Sequence, residues 1–127
     1  MNIVKFNEVQ DKIITIRDEK VILDSDVATL YDVETREVNQ AIKNNPDKFP
    51  EGYVFNISEI EKGEVVKNFD NPKIKFSPTL PKAFTRKGLY MLATILKGDR
   101  ATETTIAIIE AFDKLMELQS TIAELTL

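Results

Sequence analysis

The stretch Asp24-Ser25-Asp26-Val27-Ala28-Thr29-Leu30-Tyr31-Asp32-Val33-Glu34-Thr35-Arg36-Glu37-Val38-Asn39-Gln40-Ala41-Ile42-Lys43-Asn44-Asn45 reads as two short helices around a three-residue turn. Val27, Leu30 and Tyr31 share one helical stripe, and Asp24, Ser25 and Asp26 offer N-cap oxygens ahead of them, so a helix is expected from about Ser25 to Tyr31. Asp32-Val33-Glu34 follows as the turn; it has no Gly, but Asp32 tolerates the left-handed conformation a turn needs. Thr35 is the expected cap of the second helix, and Pro46 lies just past its end. That second helix sorts its side chains onto two faces. Val38, Ala41 and Ile42 can meet a core, whereas Arg36, Asn39, Gln40 and Lys43 recur at i, i+3, i+4 and i+7 on another side. Arg, Asn and Gln carry donors and acceptors that match base edges in the major groove, and Lys suits a phosphate. An ordinary solvated helix face would show the same spacing, so the neighbouring sequence decides between the two readings.

Upstream, residues 1–11 form a loose lead-in with a short strand at Ile3–Phe6. Ile13-Ile14-Thr15-Ile16 and Val21-Ile22-Leu23 are β-branched runs about the polar turn Arg17-Asp18-Glu19-Lys20, which predicts a β-hairpin. Downstream, Phe49-Pro50-Glu51-Gly52 turns the chain into a strand over Tyr53–Ile57. Ser58 with Glu61 is a capping box for a helix from Glu59 to about Asn68. Residues 69–81, with Pro72, Pro78 and Pro81 around Lys73-Ile74-Lys75-Phe76, read as a solvated loop or a short edge strand that touches phosphate like a wing. Thr85 caps a helix from Arg86 to Lys97, ended by Gly98, with Leu89, Leu92, Ala93 and Leu96 inward. The longest helix runs from about Ala101 to Leu125. On it Ile108, Ala111, Leu115, Leu118, Ile122 and Leu125 repeat at alternating steps of three and four, as in a heptad seam. Leu115, Leu118, Ile122 and Leu125 are the candidate homodimer contact, and packing on the chain's own core is the alternative. The expected class is α+β: a small helix-turn-helix domain with a hairpin and short strands, closed by a long C-terminal helix.

The chain's 127 residues are 43% hydrophobic and 30% charged, the profile of one soluble domain able to fold unaided. No apolar run reaches the ~18 residues of a membrane span. Met1-Asn2-Ile3-Val4-Lys5-Phe6 lacks a secretory signal's apolar core, so a cytoplasmic location is expected. With no Cys and no His, disulfides, His-activated nucleophiles and Cys- or His-based metal sites are excluded. Neither a P-loop nor Gly-x-Gly-x-x-Gly is present. No enzyme activity, metal or cofactor is expected; Asp24 and Asp26 as a Mg²⁺ pair is far less plausible than their service at a helix start. The net charge of −4 is unusual for a nucleic-acid binder, but its distribution is uneven. Residues 1–61 carry 7 basic and 13 acidic groups, residues 62–87 carry 7 and 2, and residues 101–127 carry 1 and 5. Lys62, Lys67, Lys73, Lys75, Lys82, Arg86 and Lys87 could therefore form a basic surface.

Several blocks together resemble a known family. Lys12-Ile13-Ile14-Thr15-Ile16-Arg17 through Val21-Ile22-Leu23-Asp24, Leu30-Tyr31-Asp32-Val33-Glu34-Thr35, Lys48-Phe49-Pro50-Glu51, Ala83-Phe84-Thr85 with Gly88, Met91-Leu92 and Ile106-Ala107-Ile108-Ile109-Glu110-Ala111-Phe112 are similar to the N-terminal domain of phage antirepressor-type proteins. This is the ORF-six N-terminal domain, a relative of KilA-N and Bro-N. The resemblance covers residues 12–118 and leaves 119–127 as the end of the last helix. It implies a DNA-binding module of bacterial viruses and of bacterial genomes carrying their remnants, whose members often continue into a separate C-terminal domain. Arg86-Lys87 stand where the family pattern has an acidic or amide pair.

The resemblance assigns no base contacts. From helix geometry, Arg36, Asn39 and Gln40 are the expected base readers on double-stranded DNA. Lys43, Arg86 and Lys87, with Lys73 and Lys75, are the expected phosphate contacts. The expected role is a phage- or prophage-type transcription regulator or antirepressor acting as a homodimer. The alternative is a protein-interaction module that inactivates a repressor or host factor without touching DNA; Asp24, Asp26, Glu34 and Glu37, beside the reading helix, favour it.

Overall fold

The computed structural model describes residues 6–69, 72–75 and 77–126; of Phe69, Pro72 and Lys73 it describes the backbone alone. In chain order the elements are α1 (Phe6–Lys12), β1 (Ile14–Ile16), β2 (Glu19–Leu23), α2 (Asp24–Tyr31), α3 (Thr35–Asn44), a 3-10 turn (Pro46–Lys48), β3 (Val54–Asn56), α4 (Glu59–Phe69), α5 (Pro72–Lys75), β4 (Lys82–Thr85), α6 (Arg86–Ala93) and α7 (Asp99–Thr126). The fold is α+β, as the alternation of strand-like and helix-like periods predicts.

The expected hairpin forms, with Ile14 opposite Val21 and Ile16 opposite Glu19. Arg17 and Asp18 make its two-residue turn at φ 56° and 62°, the left-handed pair that matches the twist of the flanking strands. β4 pairs antiparallel with both β2 and β3, giving a four-strand sheet in the order β1-β2-β4-β3. Successive residues of β2 and β4 point to opposite faces, and both faces are covered. Ile22 and Phe84 join a core with Val9 of α1, Val27 and Tyr31 of α2, Val38 of α3, Leu89 of α6 and Ile108 of α7. Val21, Leu23 and Ala83 face the other way, onto Val65 of α4 and Ile74 of α5. The sheet thus lies between a large helical layer and a small one.

Several expectations needed correction. Residues 6–12 are helical because Val9, fully buried, and Ile13 lie one turn apart and pack on the first core; the proposed Ile3–Phe6 strand otherwise falls on residues outside those described. The strand expected over Tyr53–Ile57 is shorter. Residues 72–75 are neither loop nor edge strand: Ile74, 1% exposed, is drawn into the second core, and a single helical turn achieves that. The helix after Thr85 stops at Ala93, where Thr94 turns its hydroxyl back to the Met91 carbonyl at 2.7 Å. Gly98, at φ 105°, therefore precedes α7 and does not end α6.

The capping box at Ser58 is present in both directions, Ser58 N–H to Glu61 Oε1 at 2.8 Å and Glu61 N–H to Ser58 Oγ at 3.1 Å. Glu61 also receives Arg17 from the hairpin turn, Nε at 2.8 Å and Nη2 at 2.9 Å, and this holds its carboxyl at about 2, well below the ordinary 4.5. Arg17 lies over the Phe55 ring at 4.4 Å, pinning the hairpin to β3. α7 is tied to α2 by Thr104 Oγ1 donating to the Leu30 carbonyl at 3.1 Å and by the Tyr31–Thr105 hydroxyl pair at 2.7 Å; burial raises the Tyr31 phenol.

Candidate nucleic-acid interface

The Gly-free turn between α2 and α3 is built as a Schellman motif. Val33 N–H reaches the Ala28 carbonyl at 2.9 Å and Asp32 N–H the Thr29 carbonyl at 3.2 Å, with Asp32 at φ 57°, ψ 46°. Asp occupies the left-handed site usually given to Gly, and Val33 packs on the first core, the apolar contact that accompanies this ending. The caps differ from expectation. Leu23 and Glu34 hold the N-cap positions, neither with a side-chain cap. Asp24 and Thr35 lie one residue further in, where Asp24 Oδ1 accepts the Ser25 N–H at 2.8 Å and a carboxylate suits the positive helix start.

α3 seats Val38 and Ala41 in the core, 0% and 7% exposed, and so fixes which side faces out. Arg36, Gln40 and Lys43 are exposed. Asn39, expected beside them, is half-buried: its Nδ2 donates to Asp24 Oδ2 at 3.2 Å and to the Thr35 carbonyl at 3.3 Å. Its Oδ1 is buried without a hydrogen-bond partner. With both amide hydrogens engaged, Asn39 has no fork to offer a base edge in this arrangement; it joins α3 to the start of α2 and is removed from the outward stripe. A cleft of about 480 Å³ opens beside it, lined by Asp24, Ser25, Thr35, Arg36 and Thr79 among others.

Arg36 Nε contacts Glu34 Oε2 at 2.8 Å, with both side chains largely in solvent, and Gln40 Nε2 donates to Asn44 Oδ1 at 2.9 Å. Surface contacts of this kind contribute roughly 0–1 kcal/mol and exchange readily. Of the acidic neighbours, Asp24 and Asp26 are 6% and 8% exposed. Asp26 lies 3.6 Å from Lys12 Nζ. Two of the four carboxylates beside the reading helix are thus turned inward, while Glu34 and Glu37, whose charge would repel phosphate, remain on the surface.

The basic segment does not make one surface. Lys75 sits on α5, which packs on the other face of the sheet from α3, although Ile74 and Ser77 on either side of it line the cleft beside Arg36 and Asn39; Lys62 Nζ donates to the Ser77 carbonyl at 2.8 Å. The Lys73 side chain lies outside those described. Arg86 and Lys87 begin α6, in the same layer as α3 but at the other end of β4: Ala83 pairs with Leu23, next to Asp24, whereas Thr85 pairs with Val21. Lys87 is exposed, 5.9 Å from the Tyr53 ring centre, and Arg86 Nη1 donates to Met116 Sδ. Both line a second crevice of about 400 Å³ with Lys20, Phe112 and Leu115.

Reading for charge and periodicity missed the joint that orients α6. Thr85 does more than cap: its hydroxyl donates toward the Gly52 and Tyr53 carbonyls at 2.9 and 3.0 Å and accepts the Gly88 N–H at 3.3 Å. The signal was present in Ala83-Phe84-Thr85 with Gly88, whose spacing carries the family resemblance without stating its cause. On α7 the expected seam divides in two. Ile108 and Ala111 are buried in the chain's own core, Leu115 is half-buried, and Leu118, Ile122 and Leu125 are 46%, 59% and 81% exposed. No helix among the described residues is long and apolar enough to cross a membrane. Comparison with curated proteins and with solved structures finds no match; comparison with protein families matches residues 11–95 to the ORF6N domain.

Proposed function

The chain belongs to the ORF6N domain family, and from that premise we propose that it is a phage-type regulatory protein that binds double-stranded DNA in a sequence-specific way through α3. The observation that supports this most is the α2–turn–α3 unit, with a Schellman turn fixing the two helices and Arg36, Gln40 and Lys43 in a row on the face turned away from the core. In such units the second helix enters the major groove and its early outward residues meet the bases.

In this reading Arg36 and Gln40 contact base edges and Lys43 a phosphate. A good bidentate base contact contributes ~1–3 kcal/mol of discrimination, more than the exposed Arg36–Glu34 pair that it must replace. Asn39 holds α3 at its angle to α2. Arg86 and Lys87, at the other end of β4, form a separate candidate phosphate contact, and Lys75 belongs to α5, whose Ile74 lines the same cleft as Arg36. The test is selection of bound duplexes from a random pool, followed by binding of the selected duplex by Arg36→Ala and Gln40→Ala at several salt concentrations.

A second reading is favoured by the net charge of −4 and by Glu34 standing against Arg36: contact with a repressor or host factor without DNA. A gel shift at low salt separates the two, because absence of a shift at micromolar protein leaves only the protein partner.

A further inference from the structure

The outer half of α7 carries an apolar stripe that its own domain does not cover. Ile108, Ala111 and Phe112 are spent on the first core, yet the same helix face continues through Leu115, Leu118, Ile122 and Leu125, with exposure rising to 81% at Leu125. We infer that this stripe packs antiparallel against the same stripe of a second copy of this chain, with Leu115 opposite Leu125 and Leu118 opposite Ile122 of the partner.

Three observations select that occupant. The first is spacing. The steps 115–118–122–125 are three, four and three, which reads the same in both directions. A two-fold contact requires residue i to meet j while j meets i, and antiparallel pairing centred on position 120 satisfies this at all four apolar positions.

The second is charge. At 100° per residue, Asp113, Glu117 and Glu124 point away from the stripe, and the flanks next to it carry Lys114, Gln119, Thr121 and Thr126. Two acidic copies can therefore approach along this face without bringing the carboxylates of their α7 helices together.

The third is space and area. The crevice of about 400 Å³ that Phe112, Leu115 and Met116 line together with Glu19, Lys20 and Lys87 lies at the level of Leu115, where Leu125 of the second copy arrives. The seam from Leu115 to Leu125 spans only about 15 Å of helix and on its own covers on the order of half of the ~800 Å² per partner of a standard interface. A weak dimer, dependent on protein concentration, is therefore expected.

The inference does not rest on DNA binding through α3, and its test uses no DNA, although Arg86 and Lys87 line the crevice. The chain has no Cys, so Leu118→Cys and Ile122→Cys variants, each checked for native circular dichroism, can be treated with a short thiol cross-linker separately and as an equimolar mixture. The expected result is a linked dimer in the mixture at least five-fold more abundant than with either variant alone, alongside a dimeric mass for the unmodified chain in light scattering. Equal linking of Leu118→Cys with itself would indicate parallel helices and overturn the proposal. No linking together with a monomeric mass at 100 µM would overturn it as well.

Discussion

Replacing Gly88 by Ala should be among the most damaging single-methyl additions to this domain. A Cβ at position 88 would lie 2.0 Å from the Tyr53 carbonyl oxygen, 2.9 Å from its carbon and 3.3 Å from Val54 Cγ2. The oxygen cannot retreat freely, because it accepts both the Thr85 N–H at 3.1 Å and the Thr85 hydroxyl at 3.0 Å. Relief needs a shift of more than 1 Å, roughly the difference from ordinary contact distance. Two hydrogen bonds would be weakened at about 1 kcal/mol each, and overpacking adds about 1–3 kcal/mol. The better helix propensity of Ala returns about 1 kcal/mol. The net loss is about 2–4 kcal/mol, a large share of the stability of a small domain, and corresponds to a fall in Tm of about 8–20 °C. Gly63 in α4 is the control: a Cβ there meets nothing within 4 Å, so Gly63→Ala should be neutral or stabilising by up to ~1 kcal/mol. Thermal and urea unfolding followed by circular dichroism measure both. Equal midpoints for Gly88→Ala and the parent chain would refute the close approach of α6 to Tyr53 and, with it, the explanation of the Thr85–Gly88 pattern.

Other outcomes follow from the same geometry. Glu61, with a folded-state pKa lowered to about 2 from 4.5, contributes stability that is fully present above pH 4.5 and is lost as pH falls toward 2. Urea midpoints at pH 5, 4 and 3 should therefore decline less in Glu61→Gln than in the parent, and parallel declines would count against the Arg17–Glu61 contact. Thr85→Val, which removes the N-cap acceptor and the hydroxyl links to the 52–53 turn, should cost about 1–3 kcal/mol in the same unfolding assay. Asn39→Asp would place a second carboxylate against Asp24, so it should lower stability and DNA affinity together while leaving the selected base preference unchanged. The swap Asp24→Asn with Asn39→Asp should recover part of both, and a changed preference at one base would instead make Asn39 a reader.

Much of the framework was legible because its local signals agree with the global packing. The hairpin, the capping box at Ser58 and Glu61, the cap at Thr85 and the helix pair at 24–44 each rest on contacts close in sequence or on strict periodicity. Failures arose where a tertiary demand outweighed the local pattern. Lys73-Ile74-Lys75 alternates like an edge strand, yet the uncovered face of the sheet draws Ile74 into a helical turn. The four-residue polar stripe of α3 was a correct reading of spacing, but spacing carries no information on Asp24, 15 positions away, which turns Asn39 inward. The heptad seam was visible in full. Its division, Ile108 and Ala111 inside and Leu118 onward outside, depends on where the domain ends along the helix.

The most direct measurement for the central proposal is quantitative binding of a duplex selected from a random pool, by the parent chain and by Arg36→Ala and Gln40→Ala, across a salt series. Each substitution should weaken the selected duplex by about 1–3 kcal/mol and flatten preference at its own base position. Log affinity should fall with log salt at about −0.9 for each phosphate neutralised. Failure of the pool to enrich, or enrichment with affinity and preference unchanged in both variants, would contradict the assignment of α3 as the DNA-reading helix.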